Sequence, residues 1–343
     1  MSKGLIFCFG TILIIDDIQK ALTGQKLLDS FAETHAKREI IADGFLYGHT
    51  INMIAAEPGA GKSTISTQVA VELTAGIPVF GLYEVPKPFK VLYIQTERSI
   101  LELLERLEII SKVYPIIAEN LFVTDEYQRL NLLIPKHVEM LIKCIHRDCG
   151  KPDVIFIDPI YAMVSGGLKD DIPASAFTKG MSRLQKETGA VLWYNHHTVK
   201  VQYSPSGHKI DREDPFYGSQ WIKAHVTSSY HLREISGGVK LTLKKDNYNI
   251  MPKDISLDFD PETGLCSIPI EEIPSIDRIR GFLNLRKKDG KSFTFKDICQ
   301  VSQTSSKTAQ RALTKLGDSI GTLTATMDKH KKVYKFNNYA DNG

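Results

Sequence analysis

The chain has 343 residues, 42% hydrophobic and 24% charged, with a formal net charge of +3. That composition supplies a large packed domain plus a small one and excludes long disorder, collagen and coiled coil. The longest apolar run, residues 5–15, is too short to cross a bilayer, and the five cysteines show no zinc-ligand or paired-disulfide spacing, so a soluble, cytoplasmic protein with no membrane partner is expected.

In chain order, the run at Leu5 reads as an N-terminal strand or as the product of a start codon placed too early; a signal-peptide core is the lesser alternative, because Asp16-Asp17 rather than a small-x-small cleavage site follows it. Residues 16 to about 45 read as one or two helices, which makes residues 1–45 an N-terminal helical arm. From Thr50 the pattern changes. Short apolar runs at 51–56, 91–95, 121–123, 154–157 and 191–194 alternate with helix-spaced segments such as Val138, Leu141, Ile142 and Ile145. Strand runs without polar alternation suit a parallel sheet covered on both faces, and such a sheet requires helical crossovers. The expected fold class is therefore α/β. Residues 229–270 read as close-spaced short strands with Gly237-Gly238 as a turn. Pro269 and Pro274 mark a hinge, separating a core of residues 46–270 from a module of residues 275–343. That module holds 14 Lys and Arg against 6 Asp and Glu, a net of +8 within a chain of +3. A basic tail on an acidic core points to a polyanion as partner, the alternative being a merely soluble basic face.

The segment Ala56-Glu57-Pro58-Gly59-Ala60-Gly61-Lys62-Ser63-Thr64 follows an apolar strand and opens a helical stretch, the context a phosphate-binding loop requires. Gly59 and Gly61 let the backbone curl so that N–H groups face phosphate oxygens. The predicted helix adds the positive end of its dipole. Lys62 is expected to reach the β- and γ-phosphates of ATP, and Ser63 to place its hydroxyl on Mg2+. Ala56 stands where the strict pattern has glycine. Val154-Ile155-Phe156-Ile157-Asp158 is an apolar strand ending in a carboxylate, as expected of a residue that holds Mg2+ through water. The run at Val91 leads to Glu97, which is placed to take a proton from, or orient, an attacking water; the alternative is a surface ion pair with Arg98. Val191 to Thr198 ends the next predicted strand with His196-His197. Adjacent strand residues point to opposite faces, so only one of the two can contact a γ-phosphate.

From about residue 45 to 250, the pieces EPGAGKST, LYIQTERS, VIFIDPIYAMV and VLWYNHHTVK with YGSQWIKAHV resemble the RepA-type branch of RecA-like ATPases, the plasmid and phage replicative helicases. The resemblance implies a RecA-like core, Glu97 as catalytic base, Asp158 as the Walker B aspartate and His196 as the strand-end sensor. It also implies a homo-oligomeric ring, hexameric, with ATP at subunit junctions and single-stranded DNA in the channel. One departure concerns the basic finger that acts across the junction. Related rings carry a Lys-x-Arg pair where this chain has Lys245 and Asn247, so Lys223, Lys245 and Arg233 all remain candidates.

Two segments carry candidate DNA contacts. The loop 198–217 places Lys200, Lys209 and Arg212 among Gly, Ser and Pro residues, which suits a channel loop gripping phosphates; its acids leave an ordinary surface loop as the alternative. In the tail, a helix from Ile276, a strand at 292–295, a helix pair over 295–301 and 305–316, and two strands at 322–327 and 332–336 follow the order of a winged helix. Its second paired helix would expose Lys307, Arg311 and Lys315, and its hairpin Lys331 and Lys332, to duplex DNA; docking on protein is the alternative. The leading expectation is an ATP-driven replicative helicase. The competing ones are a RecA-like recombination ATPase and an ATP-switched DNA-binding regulator.

Overall fold

The computed structural model describes residues 5–8, 11–14, 39–97, 99–114, 118–165, 167–198, 216–316, 323–328 and 331–336. The chain divides into two compact units, Met1–Glu39 and Ile40–Gly343. In the first unit, β1 (Leu5–Cys8) and β2 (Thr11–Ile14) form an antiparallel pair with Leu5 opposite Ile14. The helices expected over 16–38 lie outside the described residues.

The second unit begins with a correction. Where helix was expected as far as residue 45, β3 (Ile40–Ala42) and β4 (Leu46–Tyr47) form an antiparallel hairpin. The β-branched pair Ile40-Ile41 favours a strand, and Asp43-Gly44, with Gly44 at φ 80°, is a hairpin-turn signal. Ile41, Phe45 and Leu46 are fully buried there, and the Phe45 ring stacks on Tyr83 at 5.2 Å.

Strands and helices then alternate: β5 (Ile51–Ala56), α1 (Lys62–Ala75), β6 (Val91–Gln95), α2 (Ile100–Ser111), β7 (Leu121–Thr124), α3 (Pro135–Cys149), β8 (Val154–Asp158), α4 (Asp171–Thr188), β9 (Val191–His197) and the short α5 (Gln220–His225). An antiparallel tail of strands follows: β10 (Ser228–Ile235), β11 (Gly238–Asp246), β12 (Asp254–Phe259) and β13 (Cys266–Ser267). They build one nine-stranded sheet of order β13-β12-β11-β10-β5-β9-β8-β6-β7. From β10 to β7 every neighbouring pair is parallel, and β11 to β13 extend the sheet antiparallel. The fold is thus α/β with a mainly parallel central sheet, as expected of a RecA-like P-loop core.

Both faces of that sheet are covered, which explains the unbroken apolar runs. Along β8, Val154 and Phe156 join the core under α1 and α2, while Ile155 and Ile157 join the core under α3 and α4. Along β9, Val191 and Trp193 go to the first core, and Leu192 and Tyr194 to the second. No position along either run faces water, so none is polar until the strand reaches its carboxyl end. Local signals set the helix limits: Ser99 caps α2 by accepting from Leu101 N–H at 3.2 Å, Pro135 opens α3, and Gly189 at φ 74° closes α4.

The C-terminal segment follows as α6 (Ser275–Asp289), β14 (Phe293–Thr294), α7 (Phe295–Val301), α8 (Ser306–Leu316), β15 (Leu323–Asp328) and β16 (Lys331–Phe336). Its three strands pair antiparallel in the order β14-β16-β15. A separate small core holds it together, with Ile279, Leu283, Phe293, Ile298 and Ala309 each at or below 3% exposure. A capping box starts α7: Asp297 N–H donates to Thr294 Oγ1 at 3.2 Å, and Thr294 N–H to Asp297 Oδ2 at 2.7 Å.

Candidate active site

Open parallel sheets bind ligands beyond the carboxyl ends of their strands. Here the carboxyl ends of β5, β6, β8 and β9 lie side by side, with Gln95 opposite Asp158 and Ala56 opposite His197. The loop after β5 turns into α1 through Gly59 at φ 84° and Gly61 at φ 90°. A Cβ at either would meet nothing within 4 Å, so it is the left-handed backbone, not space, that calls for glycine. The first turn of α1 carries no acidic residue, which leaves its positive dipole end free for an anion.

Around this loop lies a pocket of about 230 Å³, lined by Pro58, Gly59, Gly61, Lys62, Ser63, Thr64, Glu97, Arg106, Asp158, Pro159 and His197. Of the expected loop residues, Ala60 is buried beneath the turn, and Glu57 gives its carbonyl to Lys62. The Lys62 ammonium donates to the carbonyls of Ala56 at 3.0 Å and Glu57 at 2.9 Å. Burial lowers the Lys62 pKa, and the carboxylates of Asp158 and Glu97 oppose that shift. Lys62, Glu97 and Asp158, separated by up to 96 positions in sequence, are thus within electrostatic reach of one another.

Asp158 is 2% exposed, and its Oδ2 accepts from Tyr93 Oη at 2.6 Å. Burial and the adjacent carboxylate push the Tyr93 phenol well up, which keeps it a donor. The hydroxyl of Ser63 and the carboxylate of Asp158 are hard oxygen ligands, a set that suits Mg2+. Among the described residues no group of three or more His, Cys, Asp or Glu is placed to hold a metal.

The two histidines separate. His197 lines the phosphate pocket, packs its ring against Tyr161 at 4.7 Å, and has a buried Nδ1 without a hydrogen-bond partner among the described residues. His196, the residue expected as sensor, turns to the other face. Its Nε2 donates to the Tyr217 carbonyl at 2.7 Å, and burial drives its pKa down to about 4. Sequence reasoning had the principle of opposite faces right, but parity along β9 depends on the register against β5, which the sequence does not display.

Arg106 is a further site residue that no sequence motif marks. It reaches the pocket from α2 and donates from Nη1 to Thr67 Oγ1 at 3.3 Å, and Thr67 in turn donates to the Ser63 carbonyl at 2.7 Å. The available signal was its spacing: Leu103 and Ile110 are the buried positions of α2, and Arg106 falls on that same stripe.

None of the three basic-finger candidates lines the phosphate pocket of its own chain. The Lys245 ammonium donates to the carbonyls of Lys223 at 2.9 Å and Ala224 at 2.5 Å, holding the end of α5. Lys223 lies over the Phe216 ring at 5.8 Å. Arg233 is exposed; His231 pairs with Ala55, so Arg233 lies beyond the end of β5, on the loop side of the sheet. Lys200, Lys209 and Arg212 lie outside the described residues, as does the Lys331 side chain. Lys307, Arg311, Lys315 and Lys332 are all exposed.

A second, larger cavity of about 590 Å³, lined among others by Leu132, Leu133, Ile172 and Trp221, carries none of this phosphate chemistry. Among the described residues no helix is long and apolar enough to cross a membrane.

Comparison with known proteins agrees with the geometry. No curated protein gives a significant sequence match. Among solved structures, the flagellar accessory protein FlaH from Methanocaldococcus jannaschii is similar over 65% of this chain and 90% of its own, at 14% identity and a TM-score of 0.42, too distant a likeness to bear on function. A family model described as an AAA domain matches residues 13–203, which hold the phosphate loop, Glu97, Asp158 and both histidines. Matched over more than half its length, the chain belongs to the AAA_25 family of P-loop ATPase domains.

Proposed function

We propose that this protein is an ATP-hydrolysing, ring-forming DNA helicase or translocase of the plasmid or phage replication type, with ATP bound at subunit junctions. The observation that carries the reading is the composition and size of the phosphate pocket. It joins a phosphate loop, a strand-end carboxylate, a second carboxylate and a strand-end histidine, in a volume of about 230 Å³. These residues suit the phosphates, and in this reading a neighbouring subunit covers base and ribose.

Each side chain has a task in that reading. Lys62 leaves its loop carbonyls to neutralise charge on the β- and γ-phosphates. Ser63 and Asp158 would hold Mg2+, which would supply positive charge against the phosphate oxygens. Glu97 orients the attacking water and accepts its proton. His197 contacts the γ-phosphate. Because β9 leads into the segment 198–217, whose sequence suits a channel loop, loss of that contact would be passed to the candidate DNA-gripping residues. Trans-acting charge comes from Lys223 or Arg233 of a neighbouring copy. Lys245 would first have to release the two carbonyls that its ammonium holds.

The C-terminal segment has the element order of a winged helix, and α8 exposes Lys307, Arg311 and Lys315. That basic face favours a second reading, an ATP-switched regulator that binds duplex DNA. Forked DNA with ATP separates the two. The helicase reading predicts ATP-dependent strand separation by a ring-sized particle. Duplex binding modulated by ATP without unwinding overturns it in favour of the regulator, and open filaments point to a recombination ATPase.

A further inference from the structure

The carboxylate of Asp158 is held from behind by a chain of buried donors. Asn195 Nδ2 donates to Asp158 Oδ1 at 2.6 Å, Ser66 Oγ donates to Asn195 Oδ1 at 2.8 Å, and Trp193 Nε1 donates to Ser66 Oγ at 3.0 Å. All four residues are at or below 2% exposure. The sense of this chain is forced from both ends. An indole N–H only donates and a carboxylate oxygen only accepts, so the Ser66 hydroxyl must point to Asn195 and the Asn195 amide must turn its NH₂ to Asp158. The other carboxylate oxygen accepts from Tyr93. Each oxygen therefore spends one acceptor site on the protein and keeps another for the pocket that Asp158 lines.

Ser66 lies three residues after Ser63 on α1, one helical turn below the hydroxyl assigned to Mg2+. The chain thus ties the phosphate-loop helix to the ends of β8 and β9. Rotation of the carboxylate would leave a buried amide and a buried hydroxyl without acceptors, which the interior disfavours. We propose that Asn195, oriented by Ser66 and Trp193, is a positioning residue that fixes the Asp158 carboxylate at a set orientation to the Ser63 hydroxyl, so that hydrated Mg2+ meets both oxygens preassembled.

The inference rests on the ATPase reading above, and the test separates the two. A fluorescent ATP analogue is bound to the full-length protein while Mg2+ is titrated, and binding is also measured in excess chelator. For Asn195→Leu and Ser66→Ala the Mg2+ concentration at half-effect rises about 10-fold, the lower end of what outer-shell partners of metal ligands contribute, while binding in chelator stays at the wild-type level. Trp193→Phe, which keeps an aromatic ring in the core but loses the donor, gives a smaller rise in the same direction. Thr188→Val removes a buried hydroxyl outside the chain and leaves the Mg2+ requirement unchanged. An unaltered Mg2+ requirement in Ser66→Ala, or equal loss of binding with and without Mg2+, overturns the positioning role; Ser66→Ala decides alone if Asn195→Leu does not fold. A wild-type protein that binds no nucleotide at any Mg2+ concentration overturns the ATPase reading itself.

Discussion

His196 and His197 are consecutive on β9 but serve opposite faces of the sheet: His197 lines the phosphate pocket, and His196 is sealed against the Tyr217 carbonyl at 2.7 Å. Their substitutions should therefore differ in kind. His197→Ala is expected to keep ATP binding and basal turnover within a few-fold while losing stimulation by single-stranded DNA. His196→Ala instead removes a buried ring that donates to the Tyr217 carbonyl and should cost about 1–3 kcal/mol of stability. Turnover with and without DNA, alongside urea unfolding, checks both. The reverse pattern would return the sensor role to His196.

The same burial makes an acid-dependence measurable. The His196 pKa falls from 6.5 to about 4 in the folded chain, so below pH 6.5 the unfolded chain binds a proton that the folded one refuses. Stability should fall between pH 6.5 and pH 4 by about 3 kcal/mol from this group, and level off below. Glu72 acts in the opposite sense: burial pushes its pKa up to about 8, and its contribution is lost as pH rises from 4.5 to about 8. The difference between wild type and His196→Gln isolates the histidine. Urea unfolding at pH 7 and pH 5 should show that difference shrinking in acid; a constant difference contradicts the assignment.

Glu97 and Arg106 face the same pocket with opposite charge, and their losses should separate binding from chemistry. Glu97→Gln is expected to retain ATP affinity and lose at least about 10²-fold in kcat, the scale of a general base. Arg106→Ala removes a cation beside the phosphates and should lower kcat/KM by about 10²-fold, with Arg106→Lys recovering part. Steady-state kinetics with equilibrium ATP binding checks the pair. Loss of ATP binding with turnover retained in Glu97→Gln would reassign the base.

The exposed basic face of α8 should read out through salt. Binding of the full-length protein to duplex DNA is expected to weaken linearly on a log–log plot against salt. Lys307→Ala with Arg311→Ala should reduce the slope by about two. A slope unchanged by the double substitution leaves protein docking as the role of this face.

What could be read from the sequence and what could not divides along physical lines. The phosphate loop, Asp158 and the apolar strands were legible because each depends on local pattern: Gly59 and Gly61 for backbone sign, Val154 to Ile157 for burial on both faces. The C-terminal elements were legible for the same reason, and Ser305 Oγ accepts from Thr308 N–H at 3.2 Å as a helix cap does. The choice of His197, the reach of Arg106 and the engagement of Lys245 were not. Each depends on which way a side chain turns once strands are in register or helices are packed, and that is set by tertiary contacts. The hairpin at Ile40 was missed although Asp43-Gly44 advertises it, because the apolar residues around it also fit helical spacing.

Phosphate release by Lys62→Ala beside wild type shows whether Lys62 and its loop hydrolyse ATP. Lys62 is the cation of the phosphate loop, and its Nζ lies against the loop's own carbonyls at 2.9 and 3.0 Å. The substitution is expected to lower turnover by at least about 10²–10³-fold, the scale of one lost charge-stabilising donor in a transition state, with the fold retained by circular dichroism. Turnover close to wild type in the folded variant would contradict the account.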